Sequence, residues 1–390
     1  MDALILSLGT GGGHNAAGRA IQEALEERGH RAVFLNPYDL LGGESSKKID
    51  DIYIKLVQRL PWLFGAIYQL GNLYRHLPWH SPVFLCNRKL APVLKEYLDK
   101  NHCDVIISTH IFSGEIIATM HELGLKLPGT VFVATDYTCV PFSEETFCDS
   151  LVIASELLAE EYISHGIEGE RIIPAGIPVS SQFREGPSKQ VAKAMAGLDP
   201  EKSYILLAGG SMGAGGLIKT VGLLLKWCRG RDYIPVVVSG NNKRLQKKLS
   251  RRFSGRIILI GYTDRLHIYL RACDAYITKP GGLSSTEAAV MGIPIIHMNR
   301  IPGCETKNMR FFSELGMSIS AKNTKGSLFS ALDRAVSSEG ALKMRLLQKK
   351  YINPDAAGDI ALICEGLAAK ERCRRTALAE SESGMEVVNA

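Results

Sequence analysis

The chain has 390 residues and a mass of 42.6 kDa, more than one hydrophobic core usually accommodates, so two domains are expected. Hydrophobic residues make up 46% and charged residues 22%, which excludes a disordered chain, a coiled coil and a collagen-like fibre. Lys and Arg number 46 against 40 Asp and Glu, a surplus too small by itself to indicate nucleic acid as a partner. It is compatible with an anionic surface.

The N-terminal sequence has no basic segment, and its apolar run covers only residues 3–8, too few for a secretory signal. No stretch reaches the ~18 apolar residues of a membrane-spanning helix. Nine cysteines are scattered without a C-x-x-C pair, which argues against a disulfide framework and against a zinc site. We therefore expect a cytoplasmic chain.

The first half of the chain alternates short apolar runs with helical patterns. A strand at 3–8, a glycine-rich loop with a helix at 16–28, and a strand at 31–36 predict a βαβ unit and hence a parallel sheet. Further strands are predicted at 104–108, 130–135, 150–154 and 171–174, with helices at 113–123 and 155–165.

The alternation fades over 183–200, which is predicted to connect the two halves, and then resumes. Strands are predicted in the second half at 204–208, 235–239, 256–260, 275–278 and 294–298. Each half carries a glycine-rich turn after its first strand, which is typical of doubly wound α/β domains. Past Arg372 the chain becomes polar, which predicts a flexible tail.

Residues 47–84 break the alternation. The segment holds Trp62 and Trp79, with Arg59 and Arg75 between aromatic residues, and its apolar positions recur at helical spacing. Two interpretations stay open. The segment is either a helical pair packed inside the first domain, or an interfacial segment with aromatics at lipid headgroups and basic side chains toward anionic lipid.

The first glycine-rich loop, residues 9–14, fits only the loose form of a dinucleotide-binding motif. Asn36 stands where the acid at the end of the second strand is expected, and the Lys-Ser/Thr pair of a P-loop is absent. The loop does place His14 at a helix N-terminus, where an imidazole with an ordinary pKa near 6.5 suits a general base. The alternative is a surface histidine that caps the helix.

Two turns in the second half favour an anionic ligand. Residues 209–216 contain five glycines directly after a strand, which lets an anion approach backbone N–H groups. Residues 278–288 again run from strand through a Gly turn to helix, with Ser284 and Ser285 in a first turn that favours phosphate. Glu287 follows at a position suited to a ribose diol.

A fourth stretch, residues 299–308, follows the strand at 294–298. It carries Glu305 and Asn308, a carboxylate and an amide suited to sugar hydroxyls. Phosphate-binding turns combined with groups that bind diols indicate a nucleotide-sugar site in the second half.

Two stretches in this order carry a family resemblance: LSLGTGGGHNAAGRAIQEAL near the start and ITKPGGLSSTEAAVMGIPIIHMNRIPGCETKN in the second half. Together they resemble the monogalactosyldiacylglycerol synthase and processive diacylglycerol glucosyltransferase family, a relative of the N-acetylglucosaminyltransferase that completes the peptidoglycan lipid precursor. The resemblance covers most of residues 1–365 and implies an α/β GT-B fold, in which two Rossmann-like domains face a cleft. It implies an acceptor and membrane-facing domain at 1–185, a UDP-sugar domain at 186–355, a helix at 356–372 that returns to the first domain, and a flexible tail at 373–390.

The implied activity is an inverting, metal-independent transfer of a hexose from a UDP-sugar to a membrane lipid, with diacylglycerol as the expected acceptor. The resemblance implies no cofactor besides the donor, no nucleic acid, and an anionic membrane surface as partner on the inner face of the cell membrane. The identity of the hexose, the number of sugars added and the oligomeric state stay open.

The resemblance also assigns site residues. The diphosphate would contact Gly281, Gly282, Ser284 and Ser285, and the uridine ribose would contact Glu287. The remaining donor contacts would come from a uracil turn, from hexose-binding groups and from the first turn of the second domain: Gly261, Tyr262, Thr263, Glu305, Asn308, Gly210, Ser211, Met212 and Gly213.

On the acceptor side, His14 would be the base or a polar anchor, and Asp136 in VATDYT is the rival base. Gly12 and Gly13 would lie beside the acceptor. The aromatic residues Trp62, Phe64 and Trp79 would meet the membrane. Cys304 stands where many relatives carry Gln before the sugar-binding acid.

Three other functions are compatible with parts of the pattern. A UDP-sugar 2-epimerase shares the two-domain layout but does not need the amphipathic segment. A non-catalytic, membrane-bound regulator that binds a UDP-sugar would need Glu287 and Glu305 but not His14 or Asp136. An NAD-dependent oxidoreductase is disfavoured because Asn36 replaces the expected acid.

Overall fold

The computed structural model describes residues 1–8, 12–42, 61–209 and 216–388. Elements are numbered here in chain order over these residues. The strands form two sheets of six: β1 Asp2–Leu6, β2 Arg31–Leu35, β3 Val105–Ser108, β4 Gly129–Val133, β5 Ser150–Val152, β6 Ile172–Ile173, β7 Ser203–Ala208, β8 Tyr233–Val238, β9 Ile258–Ile260, β10 Ala275–Thr278, β11 Ile295–His297 and β12 Ile319–Ser320.

Helices connect the strands and cover both faces of the sheets. Those before the crossover into the second sheet are α1 Gly12–Glu27, α2 Pro61–Tyr74, α3 Pro82–Asn87, α4 Ala91–Lys100, α5 Ile111–Glu122, α6 Ala159–Ser164 and α7 Ser181–Arg184. Those after it are α8 Lys189–Met195, α9 Leu217–Trp227, α10 Lys243–Phe253, α11 Leu266–Ala272, α12 Gly282–Val290, α13 Cys304–Glu314, α14 Lys325–Val336, α15 Ser338–Tyr351 and α16 Ala356–Val388.

Each sheet is parallel throughout and doubly wound. The first has the order β2-β1-β3-β4-β5-β6, and the second has the order β12-β11-β10-β7-β8-β9. Every residue of β3 and of β10 is buried, as expected for strands with helices on both sides. The short apolar runs of the sequence are therefore the centres of two sheets.

The carboxyl ends of the two sheets face one another. Thr135, just beyond β4, places its carbonyl oxygen so close to Gly282 that a Cβ there would lie 2.0 Å from it. Gly13, after β1, would bring a Cβ within 3.8 Å of Leu283 on α12. Parallel α/β sheets bind ligands outside the carboxyl ends of their strands, so this face-to-face arrangement defines the cleft.

Helix α16 returns the chain to the first domain. Its residues Ile360, Ala361 and Cys364 are wholly buried in the cluster that contains β1, β3 and β4. Leu367 on the same helix would contact any Cβ placed at Gly129. The sequence predicts a helix over 356–372 and a tail over 373–390, whereas the helix runs on to Val388. The segment ERCRRTALAE at 371–380 is rich in residues with high helix propensity. The helix therefore continues through it, although the apolar periodicity has ended.

The eleven strands predicted from the sequence all occur, each within two residues at either end. Strand β12 has only two residues and was not predicted. The segment 183–200, predicted to connect the halves, contains helix α8. Among the described residues, no helix is long and apolar enough to cross a membrane.

Candidate active site

His14 lies in the first turn of α1, at the carboxyl end of β1. Its Nδ1 lies 2.9 Å from the carbonyl oxygen of Thr109 and 2.9 Å from Oγ1 of Thr135. Since a carbonyl oxygen can only accept, Nδ1 carries the hydrogen and donates it, and Nε2 holds the lone pair. Desolvation lowers the pKa of His14 below its ordinary 6.5, which the bond to Thr109 only partly offsets. The ring is therefore neutral and has the tautomer of a general base.

A second imidazole packs against the first. The rings of His14 and His110 meet edge to face with centroids 4.6 Å apart. His110 caps α5, since its Nδ1 accepts a hydrogen bond from the backbone N–H of Phe112. Burial lowers the pKa of His110 far below the ordinary value, so the pair carries no positive charge at neutral pH.

Asp136 follows Thr135 in the loop after β4. Its Oδ1 accepts a hydrogen bond of 2.6 Å from Nδ2 of Asn308, which belongs to α13 in the second domain. Desolvation raises the pKa of Asp136 to about 6, although the Asn308 bond and the charge of Lys279 act in the opposite direction. The carboxyl group is thus enclosed between the domains and still ionised at neutral pH.

Helix α12 directs its N-terminus at this loop. Gly281 and Gly282 begin the helix, and Ser284 is partly exposed in the first turn. Ser285, assigned to the diphosphate from the sequence, is instead wholly buried, and its hydroxyl lies 3.0 Å from Nε2 of His297. Its side chain therefore connects α12 to β11, and a donor contact by Ser285 stays a prediction.

Glu287 lies one turn further along α12 and is only partly buried. Desolvation raises the pKa of its carboxyl group to about 8. The position is compatible with the ribose contact predicted from the sequence, which stays a prediction.

Glu305 is buried at the start of α13, and both carboxylate oxygens have partners. Oε1 accepts from Nζ of Lys279 at 2.6 Å, and Oε2 accepts from the backbone N–H of Ile301 at 2.7 Å. The predicted hexose-binding acid thus lies beside a cation at the end of β10. Asn308, also predicted to bind the hexose, is wholly buried and bonded to the first domain.

The other predicted donor residues lie apart from this cluster or outside the described part. Gly261, Tyr262 and Thr263 follow β9, with the Tyr262 side chain 65% exposed, so the uracil assignment stays a prediction. Gly12 and Gly13 begin α1 at the cleft. The described residues exclude Gly210, Ser211, Met212 and Gly213, and also the side chains of Trp62 and Phe64.

Helix α2 covers the mouth of the cleft and touches both domains. Gly65 and Tyr68 of α2 lie against Pro302 and Gly303, in a loop of the second domain. A Cβ at Gly65 would meet Pro302, and a Cβ at Gly303 would meet the ring of Tyr68. Just beyond the end of α2, Arg75 donates to the Glu144 carboxylate of the first domain at 2.5 Å. Residues 47–60 of the segment left open by the sequence lie outside the described residues. In its described part, α2 packs on the protein through its inner face.

The outer face of α2 and the turn that follows it are apolar and exposed. Leu70 is 64% exposed and Leu73 70%, and Trp79, predicted to meet the membrane, is 69% exposed. Ile67 and Leu77 continue the same stripe. The packing interpretation thus applies to the inner face of α2, and the interfacial interpretation stays a prediction for the outer face.

Three residues near the cleft escaped the sequence-based assignment. Thr135 contacts His14, Lys279 pairs with Glu305, and Tyr68 lies near Asp136 and Cys304. Thr135 and Lys279 are part of the TD and TKPGG stretches, so proximity in sequence to the motifs is a usable signal. Tyr68 has no such signal, because only the fold brings α2 over the cleft.

The cysteines and acidic groups show no sign of a metal centre within the described ranges. No group of three or more His, Cys, Asp or Glu side chains there has the arrangement of a metal site. All nine cysteines lie in those ranges and are free thiols.

Comparison with known proteins agrees with this geometry. Residues 14–179 match the family model of monogalactosyldiacylglycerol (MGDG) synthase. A processive diacylglycerol beta-glucosyltransferase of Bacillus licheniformis is 26% identical over 322 residues, which cover 81% of this chain and 82% of that protein. The chain is similar to that family in both comparisons. The resemblance carried by the two sequence stretches is confirmed.

Solved structures agree on the fold. MurG of Acinetobacter baumannii superimposes with a TM-score of 0.61 at 12% identity, covering 94% of this chain and 99% of that one. A putative UDP-N-acetylglucosamine 2-epimerase of Listeria monocytogenes gives 0.62 at 14% identity, covering 93% and 95%. The expected GT-B fold is confirmed, and the fold alone does not separate a transferase from an epimerase.

Proposed function

We propose that this chain is a glycosyltransferase that moves a hexose from a UDP-sugar to diacylglycerol in a membrane, with inversion and without a metal ion. One observation carries the proposal. A neutral His14 with its Nε2 lone pair available lies across the cleft from a helix N-terminus that is suited to a diphosphate. The names of the sequence relatives supply the lipid acceptor.

The proposed reaction begins at the acceptor hydroxyl. Nε2 of His14 takes the hydroxyl proton while the oxygen attacks the anomeric carbon from the face opposite UDP. The carbon–oxygen bond to the diphosphate breaks, and its electron pair leaves on the β-phosphate. General-base assistance of this kind is worth about 10²–10⁴-fold. The loop that carries Asp136 contacts His14 through the hydroxyl of Thr135, and we propose that Asp136 acts on the acceptor side together with His14.

The leaving diphosphate gains negative charge as the bond breaks. Backbone N–H groups at the start of α12 and the positive end of its dipole can meet that charge without a cation. Lys279, which is paired with Glu305, places an ammonium group at the same edge of the sheet. These groups support a reaction that proceeds without a metal ion.

The exposed face of α2 supports contact with a bilayer. Leu70, Leu73 and Trp79 present an apolar stripe at the cleft mouth, where an acceptor lipid would enter. A basic helix, α10, offers exposed lysine and arginine side chains, each worth about 1 kcal/mol near an anionic surface. A peripheral enzyme on the inner face of the cell membrane fits both features.

The test is a transfer assay with the full chain. Purified protein is incubated with radiolabelled UDP-glucose or UDP-galactose and with liposomes that contain diacylglycerol, and the lipids are then extracted. We expect label in the organic phase, with the opposite anomeric configuration to the donor. His14→Ala should reduce that label about 10²–10⁴-fold while UDP binding persists.

Three results would oppose the proposal. An isomerised UDP-sugar in the aqueous phase, without lipid label, would favour the epimerase that shares the fold. UDP-sugar binding with no turnover of either kind would favour a regulator. Product formed only with added divalent metal would contradict the metal-free reaction.

A further inference from the structure

Asn308 uses its side-chain amide to hold the loop of the other domain. Its Oδ1 accepts from the backbone N–H of Tyr137 at 2.7 Å, and its Nδ2 donates to Oδ1 of Asp136 at 2.6 Å. Nδ2 also lies 3.1 Å from the carbonyl oxygen of Pro280, in its own domain. These partners fix the orientation of the amide, because only the oxygen can accept from an N–H group and only the nitrogen can donate to a carboxylate.

The contacts around Asn308 extend this junction. The hydroxyl of Tyr137 lies 2.7 Å from Oγ1 of Thr286 on α12. The Tyr137 ring stacks on Phe311 at 4.8 Å and meets Phe312 edge to face at 4.9 Å. Loop residues 135–137 thus pack between α12 and α13. These contacts join the two domains, so they require the domains to lie against one another.

This environment does not suit a group that binds sugar hydroxyls. Asn308 is wholly buried, and both hydrogens of its amide and its oxygen already have protein partners. A sugar contact would require breaking the bond to Asp136 or to Tyr137, which leaves a buried polar group unsatisfied.

We propose that Asn308 is a positioning residue that assembles the acceptor-side centre from across the cleft, by orienting Asp136 and fixing the Tyr137 backbone when the domains close. This inference rests on the proposed glycosyl transfer for its kinetic consequences. The hydrogen bonds of Asn308 to Asp136 and Tyr137 can be tested without that activity. The donor domain thereby controls the geometry of a carboxylate in the acceptor domain.

The two roles can be separated by two substitutions. Asn308→Ala removes both bonds, so hydrogen–deuterium exchange of the Tyr137 amide should accelerate about tenfold, and kcat should fall about 10²-fold with the KM for the UDP-sugar little changed. Asn308→Asp keeps an oxygen for the Tyr137 amide but places a carboxylate against Asp136. Exchange should then stay slow, while the acid limb of the pH–rate profile moves to higher pH, because a nearby like charge raises the pKa.

Asn101→Ala is the matched control, since it removes an exposed amide at the end of α4 that bonds only within its own helix. It should leave the exchange of residues 134–139 and the pH profile unchanged. Exchange at Tyr137 that is unaltered in Asn308→Ala would overturn the inference. So would an Asn308→Ala variant with unchanged kcat and a raised KM for the donor, which is the behaviour of a hexose-binding group. Exchange is measured without substrate, so failure of the transfer assay alone would oppose the proposed function and leave this junction established by the exchange result.

Discussion

On the acceptor side, neighbouring groups set the tautomer of His14 and the pKa values of His14 and Asp136. The carbonyl of Thr109 selects the tautomer of His14, and burial keeps that imidazole neutral. Asp136 is desolvated between the domains, which raises its pKa to about 6. The sequence offers both as candidate bases without ordering them. Because Nδ1 of His14 donates to Thr109, its Nε2 lone pair is left for a substrate, and we propose His14 as the base on that ground.

The pKa values predict how activity depends on pH. Below pH 6 Asp136 becomes protonated, and His14 loses its lone pair to a proton at pH values below 6.5. We expect kcat/KM to rise with pH through about 6 and then to level. Asp136→Asn should lower kcat/KM and move the acid limb to lower pH, since only the ionisation of His14 remains.

A pH–rate profile of both proteins in the lipid transfer assay checks this. An acid limb that keeps its midpoint in Asp136→Asn would show that Asp136 does not govern it. His14→Gln, which retains a polar group without a titratable nitrogen, should abolish most turnover at every pH.

At the scale of elements, α2 has one face packed on the protein and another exposed to solvent. Small residues, Gly65 and Gly71, let its inner face approach Pro302 and Pro141 closely. Its outer face carries large apolar side chains at the same helical spacing. The hydrophobic periodicity of the sequence predicts the helix but cannot say which face is covered, because both faces are apolar.

The outer face predicts a loss of membrane binding on charge insertion. Leu70→Glu together with Leu73→Glu should reduce co-sedimentation with anionic liposomes severalfold, because two carboxylates replace apolar contact and repel anionic lipid. Circular dichroism and UDP binding should be unaffected, since both side chains point away from the protein.

Leu346→Glu is the matched control for that experiment. Leu346 is 60% exposed on α15 in the second domain, so it tests whether any exposed leucine has this effect. An equal loss in the control, or an unchanged pellet fraction in the double variant, would contradict docking through α2.

At the scale of the whole molecule, the last helix links the two domains, because it follows the second domain in the chain and packs in the core of the first. Helix α16 begins in the second half of the sequence and supplies Ile360 and Cys364 to the core of the first domain. Glu365 on the same helix accepts two hydrogen bonds of 2.8 Å from Arg28. The first domain is therefore completed by residues that are more than 300 positions away from its first strand.

Core packing of α16 predicts a stability effect. Ile360→Ala should lower the free energy of unfolding by about 2–5 kcal/mol, since it leaves a cavity beneath the first sheet. Leu362→Ala, at a 51% exposed position on the same helix, should cost less than about 1 kcal/mol. Urea denaturation followed by circular dichroism measures both. Equal shifts of the two midpoints would contradict the packing of α16.

Much of the molecule could be predicted from the sequence because the signals are local. Apolar runs of four to six residues located every strand of the two sheets except the two-residue β12. Glycine turns after β1 and β10, together with the family resemblance, placed His14 and Gly281–Gly282 at the cleft. These predictions succeed because strand formation and helix N-termini depend on residues close together in the chain.

Only the tertiary structure decided how the site residues are used. Ser285 and Asn308 carry the residue types of a ligand site, yet one hydroxyl is bonded to His297 and one amide to the opposite domain. Asp136 and Asn308 are 172 residues apart, and nothing local to either specifies their contact. The sequence by itself determined two α/β domains and the glycine-rich turns at the ends of their strands. The assignment of each polar side chain to ligand, partner domain or core depended on which groups domain closure brought within hydrogen-bond distance.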